Sequence, residues 1–312
     1  MRLSIAMALA ATIGTAHAPA RAQDFPSRPV TIVVPFTPGG AGDTLARLIG
    51  PRLEQKWGKP VVVENKPGAG SVIGAVAVQK ASPDGHTLML APSTALAINV
   101  TVYKSLPYDP TVDFVPLALA AQTAFVLVVN PTLPVATVAE LIAYAKEKRG
   151  TLSYASSGPG APHHLFAELL KTMTGTEMTH VPYKGSVPLM FVDLGPALGM
   201  IQGGKVRALG VSTAARVALL PDVPPIGDTV PGFAAASWQM VAAPGKTPKP
   251  VVDKLHADLA GVFALPEIKE QIGKAGMVPV EGGSVASLQA FIKSEIVRWG
   301  KVVEQAGIAG SL

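Results

Sequence analysis

The stretch VVPFTPGGAGDTLARLIG, residues 33–50, joins a short apolar strand to an amphipathic helix through a turn with paired glycines. Glycine-rich turns between a strand and a helix bind anions, because the free N–H groups and the helix dipole both point at the turn. The stretch lacks the Lys-Ser or Lys-Thr pair of a phosphate-binding P-loop. It therefore predicts one strand–helix unit of an α/β fold. Its turn is suited to an anion, but it is not a P-loop.

The alternation of apolar strands and helices continues along the chain. Short β-branched runs without polar alternation are typical of parallel strands that are buried on both faces. The alternation predicts an α/β fold with doubly wound, mainly parallel sheets. Strands are expected in two series, at 30–36, 61–65 and 87–91, and then at 125–130, 152–158, 178–183 and 206–213.

Two lobes account for this order of elements. Too few strands follow residue 233 to build a third lobe, so the tail is expected to return to the first. The chain then crosses between the lobes near 121–125 and again near 222–236. We expect lobe 1 to contain residues 23–123 and 230–312, and lobe 2 to contain residues 124–229.

The first 22 residues have the three-part pattern of a secretory signal peptide. Arg2 precedes a short apolar run, and Ala20-Arg21-Ala22 supplies a small-residue cleavage site. The apolar run is too short to cross a bilayer, which requires about 20 residues. We therefore expect export and cleavage after Ala22.

The composition excludes several classes of site. The chain has no cysteine, which excludes disulfides, thiolate metal sites, a Cys nucleophile and a lipid anchor on an N-terminal Cys. Without residues 1–22 the chain keeps 24 basic and 21 acidic side chains, a net charge of +3. This mild excess does not indicate a nucleic-acid partner, although it favours encounter with a small organic anion.

Two turns at the carboxyl ends of predicted strands are the candidate binding elements, PFTPGGAGD (35–43) and ASSGPGAPHH (155–164). In doubly wound sheets ligands bind at such strand ends. Neither turn has a large side chain that would block an approach to its N–H groups, and Asp43 is expected to be a helix N-cap. Turns that face each other across a cleft would hold an anion by neutral dipoles, and a carboxylate fits this better than a phosphate.

Other chemistries have weaker support. Gly68, Gly70 and Gly74 miss the dinucleotide spacing by one residue, so we expect no nucleotide or other cofactor. The adjacent His163 and His164 cannot point the same way from a helix, and no acid stands beside them at metal-ligand spacing. One of the two is expected to line the cleft and the other to face solvent. A nucleophile formed by Ser156 or Ser157 with His163 stays open as an alternative.

A series of sequence blocks, in a fixed order, resembles a known family. The blocks are FPSRPVTIVVPFTPGGAGDTLAR, PVVVENKPGAGSVIGA, SPDGHTLMLAPST, SLPYDPTVDFVPLALA, LSYASSGPGAPHHLFAELL, VPYKGS, GKVRALGVST and WQMVAAPGKTP. Together they resemble the Bug-type substrate-binding proteins of tripartite tricarboxylate transporters, over essentially the whole chain that follows the signal peptide.

The resemblance implies a periplasmic Venus-flytrap receptor without catalysis. Its ligand would be a small carboxylate held between the two turns, and its partners would be the integral-membrane permease subunits of the transporter. We expect a monomer. The positions that match the family's binding residues are Phe36, Thr37, Gly39, Gly40, Ser93 and Thr94 in lobe 1, and Ser157, Gly158, Gly160, Ala161, His164, Tyr183 and Asp193 in lobe 2.

The chain departs from the family pattern after Ser186. The family has a helix and a turn between the blocks that match VPYKGS and LMFVDL, and here only Val187 and Pro188 separate the two blocks. Lobe 2 is therefore expected to lack one helix, and apolar residues such as Val187, Leu189 and Met190 are expected either to cross over in extended form or to stay partly exposed. Asp193 is expected to face the cleft and read the distal end of the ligand. A binding-impaired or sensory relative is one alternative, and an enzyme acting on a small organic acid is another.

Overall fold

The computed structural model describes residues 25–182 and 187–312. The predicted signal peptide and Tyr183 lie outside the described residues. The strands are β1 (Val30–Val34), β2 (Val61–Asn65), β3 (Thr87–Pro92), β4 (Phe114–Thr123), β5 (Phe125–Val129), β6 (Ser153–Ser156), β7 (Thr179–Pro182), β8 (Leu189–Asp193), β9 (Arg207–Val211), β10 (Ser237–Pro244) and β11 (Met277–Pro279). The helices are α1 (Ala41–Trp57), α2 (Val72–Gln79), α3 (Asn99–Val102), α4 (Val138–Glu147), α5 (Pro162–Thr174), α6 (Leu194–Gln202), α7 (Lys249–Ala264), α8 (Pro266–Lys274) and α9 (Val285–Gln305).

The described strands form two sheets, each with its own helices, which we call the first and second lobes. The first sheet has the order β11-β4-β10-β3-β1-β2, and the second has the order β7-β6-β8-β5-β9. The first sheet takes its strands from 30–123 and from 237–279, so the tail does return to it. All strands of the second sheet lie between these two segments.

The sheets are mixed, whereas the sequence suggested mainly parallel ones. β1 pairs in parallel with β2 and β3, and β6 pairs in parallel with β7 and β8. The pairs formed by β5, β10 and β11 are antiparallel. β5 and β10 are the first strands after each passage between the lobes, and each enters its sheet against the direction of most other strands. The apolar runs themselves do not reveal this reversal, because a buried strand has the same composition in either direction.

Both faces of the first sheet are covered by helices. One face packs against α1, α7 and α8 through leucines and isoleucines such as Leu45, Leu255 and Ile268. The other face packs against α2, α3 and α9, and its apolar cluster continues into the second lobe through residues such as Phe166. In the described part of the chain no helix is both long and apolar enough to cross a membrane.

Helix α9 connects the two lobes at one point. It packs on β4 and α3 of the first lobe and also contacts α5 of the second. The rings of Trp299 on α9 and Phe166 on α5 are stacked, with their centroids 5.5 Å apart. The Trp299 indole donates to the buried Glu295 carboxylate at 2.9 Å, and this hydrogen bond fixes the orientation of the ring.

The connection between β7 and β8 is short. Only residues 183–188 join these two strands, which both run parallel to β6. Parallel strands usually need a connection of a dozen or more residues, most often a helix. Of the residues named for this region, Leu189 is buried, whereas Val187 and Met190 are half-buried. Two of these three apolar residues are therefore only partly covered.

Candidate functional site

A cavity of about 500 Å³ lies between the two lobes. It is bounded by the carboxyl ends of strands from both sheets, by the beginning of α1 and by the beginning of α5. Eight of the residues expected to bind a ligand line this cavity: Phe36, Thr37, Gly40, Thr94, Ser157, Gly160, Ala161 and Asp193. Both predicted turns thus contribute to one space.

The first-lobe turn presents the uncapped beginning of α1. Gly40 is the N-cap residue and no side chain caps the helix there. The first helical bond runs from the Thr44 N–H to the Gly40 carbonyl at 2.9 Å. The N–H groups of residues 41–43 therefore have no partner within the helix. Because Gly40 and Gly42 line the cavity, these donors and the positive end of the helix dipole border it.

Asp43 is not the N-cap, which corrects the expectation from the sequence. It lies in the first turn of α1, and its Oδ2 accepts from the Gly39 N–H at 3.0 Å. Arg47 donates to the same carboxylate at 3.0 Å. Burial alone would raise the pKa of Asp43, but the hydrogen bonds from Arg47 and Gly39 outweigh burial and leave it below the usual value. Asp43 therefore stabilises the conformation of the turn, and its carboxylate binds the Arg47 guanidinium.

The second-lobe turn is held by side chains behind it. The Gly158 N–H donates to Ser156 Oγ at 3.0 Å, and the Gly160 N–H donates to His164 Nδ1 at 3.2 Å. Ser156 Oγ lies 2.6 Å from His180 Nε2. Gly160 has a φ of +73°, and a Cβ there would lie 3.1 Å from Val102 of the first lobe. A glycine is required at this position because the backbone is left-handed and approaches the other lobe closely.

His164 does not line the cavity, and this corrects two expectations. It was expected to contact the ligand, or else to be the solvent-facing member of the His163–His164 pair. Its side chain is 3% exposed and is stacked on His180, with ring centroids 3.9 Å apart. The residue instead supports the turn from behind. Sequence spacing could not show this, because the partner ring arrives from β7, sixteen residues further on.

His163 faces the cavity and connects two other polar residues. Its Nδ1 lies 2.9 Å from Ser157 Oγ, and its Nε2 lies 3.2 Å from Asp193 Oδ2. Asp193 is the N-cap residue of α6, yet its carboxylate makes no capping hydrogen bond and faces His163 and the cavity instead. The structure thus supplies the carboxylate that could not be chosen from the sequence.

Several N–H groups on the turn that carries this Ser–His–Asp chain are already hydrogen-bonded. Acyl transfer needs free N–H donors close to the nucleophile. Here the Gly158 and Gly160 N–H groups are already bonded to Ser156 and His164. Pro159 has no N–H, and the Ala161 N–H donates to the Gly158 carbonyl at 3.3 Å. These three N–H groups are therefore not free to form an oxyanion hole.

The structure also brings polar residues to the cavity that the sequence did not single out. Thr123 ends β4, and Gln239 lies on β10, so both come from strands beside the passages between the lobes. Both are about 95% buried, and Thr123 Oγ1 and Gln239 Oε1 have no hydrogen-bond partner among the described residues. Buried polar atoms are usually satisfied, so these two point to a polar occupant. The sequence feature that could have indicated Thr123 and Gln239 is a polar residue within a mainly apolar strand.

Three further expected residues, Ser93, Gly39 and Gly158, do not line the cavity. Ser93 Oγ lies 3.0 Å from Ser237 Oγ and so braces β3 against β10 at the edge of the site. Gly39 and Gly158 shape their turns, with φ values of +88° and +130°. Tyr183 lies outside the described residues.

The charge of the cavity is unusual for a site that would hold an anion. No Lys or Arg of the described residues lines it, and its ionisable side chains are His163 and Asp193. No group of three or more His, Asp and Glu in that part of the chain could hold a metal ion. An anion in this space would therefore be stabilised by N–H groups and the α1 dipole.

Comparison with known proteins gives a consistent result. A family model described as the tripartite tricarboxylate transporter family receptor matches residues 45–308. Protein BugT of Bordetella pertussis is 36% identical over 310 residues, which cover 95% of this chain and 94% of BugT.

Two solved structures share the fold over nearly the whole chain. R. palustris Rpa4515 with adipate is 39% identical, with a TM-score of 0.82 and coverage of 92% of this chain and 99% of that one. MatC (Rpa3494) from Rhodopseudomonas palustris with bound malate is 30% identical, with a TM-score of 0.78 and coverage of 89% and 100%. The two-lobed α/β fold and the resemblance read from the sequence are confirmed, and the chain belongs to the receptor family of tripartite tricarboxylate transporters.

Proposed function

We propose that this protein is a periplasmic receptor that captures a small carboxylate between its lobes for a tripartite tricarboxylate-type transporter. The observation that carries the proposal is the uncapped beginning of α1, whose N–H groups border the interlobe cavity. A carboxylate accepts hydrogen bonds from such groups and interacts favourably with the helix dipole. Adipate and malate, the ligands of two relatives, are both carboxylates.

The proposal includes the cellular setting. Residues 1–22 would direct export and be removed after Ala22, and the receptor would act as a monomer. Residues 23–123 with 230–312 would form one rigid body, and 124–229 the other. Closure of the two bodies on the ligand would create the surface that the membrane permease subunits recognise.

The first experiment measures ligand-dependent stability across a panel of small carboxylates. A ligand present at 100 times its Kd should raise the free energy of unfolding by about 2.7 kcal/mol. Calorimetry would then give the Kd of each ligand that stabilises the protein. A panel without any stabilising acid would contradict the proposal and favour a binding-impaired relative. Formation of product from any acid would favour the enzyme.

The variant Gly40→Val tests the site itself. A Cβ at Gly40 would have only the Thr37 carbonyl oxygen within 4 Å, at 3.8 Å, so the fold should tolerate the substitution. The branched side chain would occupy the space beside the α1 N–H groups, and we expect at least a tenfold loss of affinity. Gly261→Val is a suitable control, because that glycine lies on α7, outside the cavity, and a Cβ there would meet nothing within 4 Å. Equal affinity in both variants would remove the beginning of α1 from the site.

A further inference from the structure

The ionisable groups of the cavity limit the ligands that it can hold. Among the side chains of its described lining, the ionisable ones are the carboxylate of Asp193 and the imidazole of His163, and none belongs to a Lys or Arg. The pair they form has a net charge of −1 when His163 is neutral and of zero when it carries a second proton. Neither state offers net positive charge to an anion on the second-lobe side.

Asp193 is placed to accept a hydrogen bond from a ligand. Its Oδ2 contacts His163 Nε2, and its Oδ1 has no hydrogen-bond partner in the part of the chain that the structure describes. The side chain is 36% exposed although its backbone ends a central strand of the second sheet. The carboxylate is also not used to cap α6, as an N-cap Asp commonly would be. One oxygen is therefore left for a donor that enters the cavity.

A second ligand carboxylate near Asp193 would meet a like charge. Like charges a few ångströms apart repel each other, and a space partly shielded from water weakens this repulsion less than bulk water does. A hydroxyl or ammonium group would instead donate to Asp193 Oδ1. The first-lobe and second-lobe sides of the cavity therefore favour different ligand groups, a hydrogen-bond acceptor at the α1 turn and a hydrogen-bond donor at Asp193.

We propose that the ligand is a monocarboxylate whose other end carries a hydroxyl or ammonium group, and that Asp193 selects it over a dicarboxylate. This inference rests on the proposed carboxylate site at α1. It separates this chain from a receptor for a simple diacid, although one relative was solved with adipate.

The test uses matched trios of acids that differ only at the distal end. The trios are succinate, γ-hydroxybutyrate and γ-aminobutyrate; glutarate, δ-hydroxyvalerate and δ-aminovalerate; and adipate, ε-hydroxycaproate and ε-aminocaproate. Calorimetry on the chain without its signal peptide should show that, within the best-fitting trio, the hydroxy or amino acid binds at least tenfold more tightly than the diacid. A diacid that binds as tightly as its partners, or more tightly, overturns the inference.

The variant Asp193→Asn should reverse this order. It removes the negative charge and keeps the size of the side chain, so the amino acid should lose at least tenfold and the diacid should gain at least tenfold. Asp222→Asn is the matched control, because Asp222 is an exposed acid of the second lobe that does not line the cavity. An unchanged preference in Asp193→Asn overturns the inference, whatever the wild-type order.

Two further outcomes separate the inference from the proposed function. If acids bind in a Gly40-dependent way but diacids are preferred, only the inference fails. If no acid of any trio binds, both fail together. Lys184 lies outside the described residues, so the variant Lys184→Ala is measured as well. A preference among the acids of a trio that depends on Lys184 and not on Asp193 also overturns the inference.

Discussion

His164 is a buried imidazole whose neutral form holds the second-lobe turn. Its Nδ1 accepts from the Gly160 N–H, its ring is stacked on His180, and its Nε2 lies 3.8 Å from Glu168 Oε1. Lys171 forms an ion pair with the same Glu168 at 2.7 Å. Burial, and next to it the neighbouring His180, lower the pKa of His164 to about 4. Burial also lowers the pKa of His180.

The lowered pKa predicts a loss of stability in mild acid. The unfolded chain takes up a proton near the ordinary value of 6.5, whereas the folded chain resists protonation until about pH 4. The stability that neutral His164 contributes is therefore complete above pH 6.5 and is lost as the pH falls from 6.5 towards 4, by at most about 3 kcal/mol. Denaturant unfolding at a series of pH values measures how steeply the free energy of unfolding changes with pH, which we call the pH slope.

The variant His164→Asn tests whether His164 causes the pH slope of the free energy of unfolding. The Asn side chain does not titrate, and its Oδ1 can still accept from the Gly160 N–H, so the slope between pH 6.5 and 4 should become shallower. His256→Asn is the control, since His256 lies on α7 and hydrogen-bonds the Leu117 carbonyl outside this cluster. A slope unchanged in His164→Asn but reduced in His256→Asn would contradict the assignment.

At the scale of elements, α1 contains a proline that the fold tolerates at a cost. Pro51 lies in the interior of the helix, on its exposed side, and the helix continues to Trp57. An interior proline removes one helical hydrogen bond and is about 3 kcal/mol less favourable than Ala. Pro51→Ala should therefore raise the free energy of unfolding by about 1–3 kcal/mol, because the freer unfolded chain offsets part of the gain.

Pro196 provides the matched control for this prediction. It is also exposed, but it is the third residue of α6, where a backbone N–H has no helical partner. Pro196→Ala should change the stability by less than 1 kcal/mol. Equal effects of the two substitutions in denaturant unfolding would show that Pro51 does not strain α1.

The two strands that flank the short 183–188 connection should differ in hydrogen exchange. β7 is an edge strand, and its residues are exposed or half-buried. β8 lies between β6 and β5, and five of its residues pair with β5. Because of these pairings we expect fast exchange to be confined to β7 and its neighbours.

Native-state exchange measured on individual amides checks this distinction. The Val181 amide should exchange at least tenfold faster than the Phe191 amide, since edge strands open at a lower free energy than central ones. The Ile32 amide of β1 is the reference for a central first-lobe strand. Equal protection of Val181 and Ile32 would show that other packing compensates for the short connection between β7 and β8.

The elements of this fold are predictable from local sequence, and the contacts within the site are not. Val30–Val34 and Thr87–Pro92 are mainly apolar runs, so their burial follows from composition. The glycine-rich turn before α1 likewise indicated the cavity. The position of the His164 ring depends on His180, and that of the Asp43 carboxylate depends on the Gly39 N–H and on Arg47. The spacing of residues in the sequence does not reveal such contacts.

At the scale of the whole molecule, the cavity is formed by segments that are far apart in sequence. Thr123 and Gln239 meet there because β4 and β10 are neighbours in the first sheet, with Gln239 opposite Ala121. The two passages of the chain between the lobes lie directly beyond these strands. Movement of the lobes would therefore change the environment of the two unsatisfied polar groups. Binding of a ligand in the cavity would in this way be coupled to the relative position of the lobes.

The stack of Trp299 on Phe166 gives the molecule an optical reporter of its own closure. The chain has three tryptophans, and Trp299 is the one that stacks on a second-lobe ring among the described residues. Trp57 and Trp238 contact Phe25 and Phe291 of the first lobe and would supply a constant background. A ligand that rotates one lobe against the other should change the emission of Trp299, and Trp299→Phe should abolish that change while preserving the calorimetric Kd. Titrations and stopped-flow rates of closure then need no attached dye.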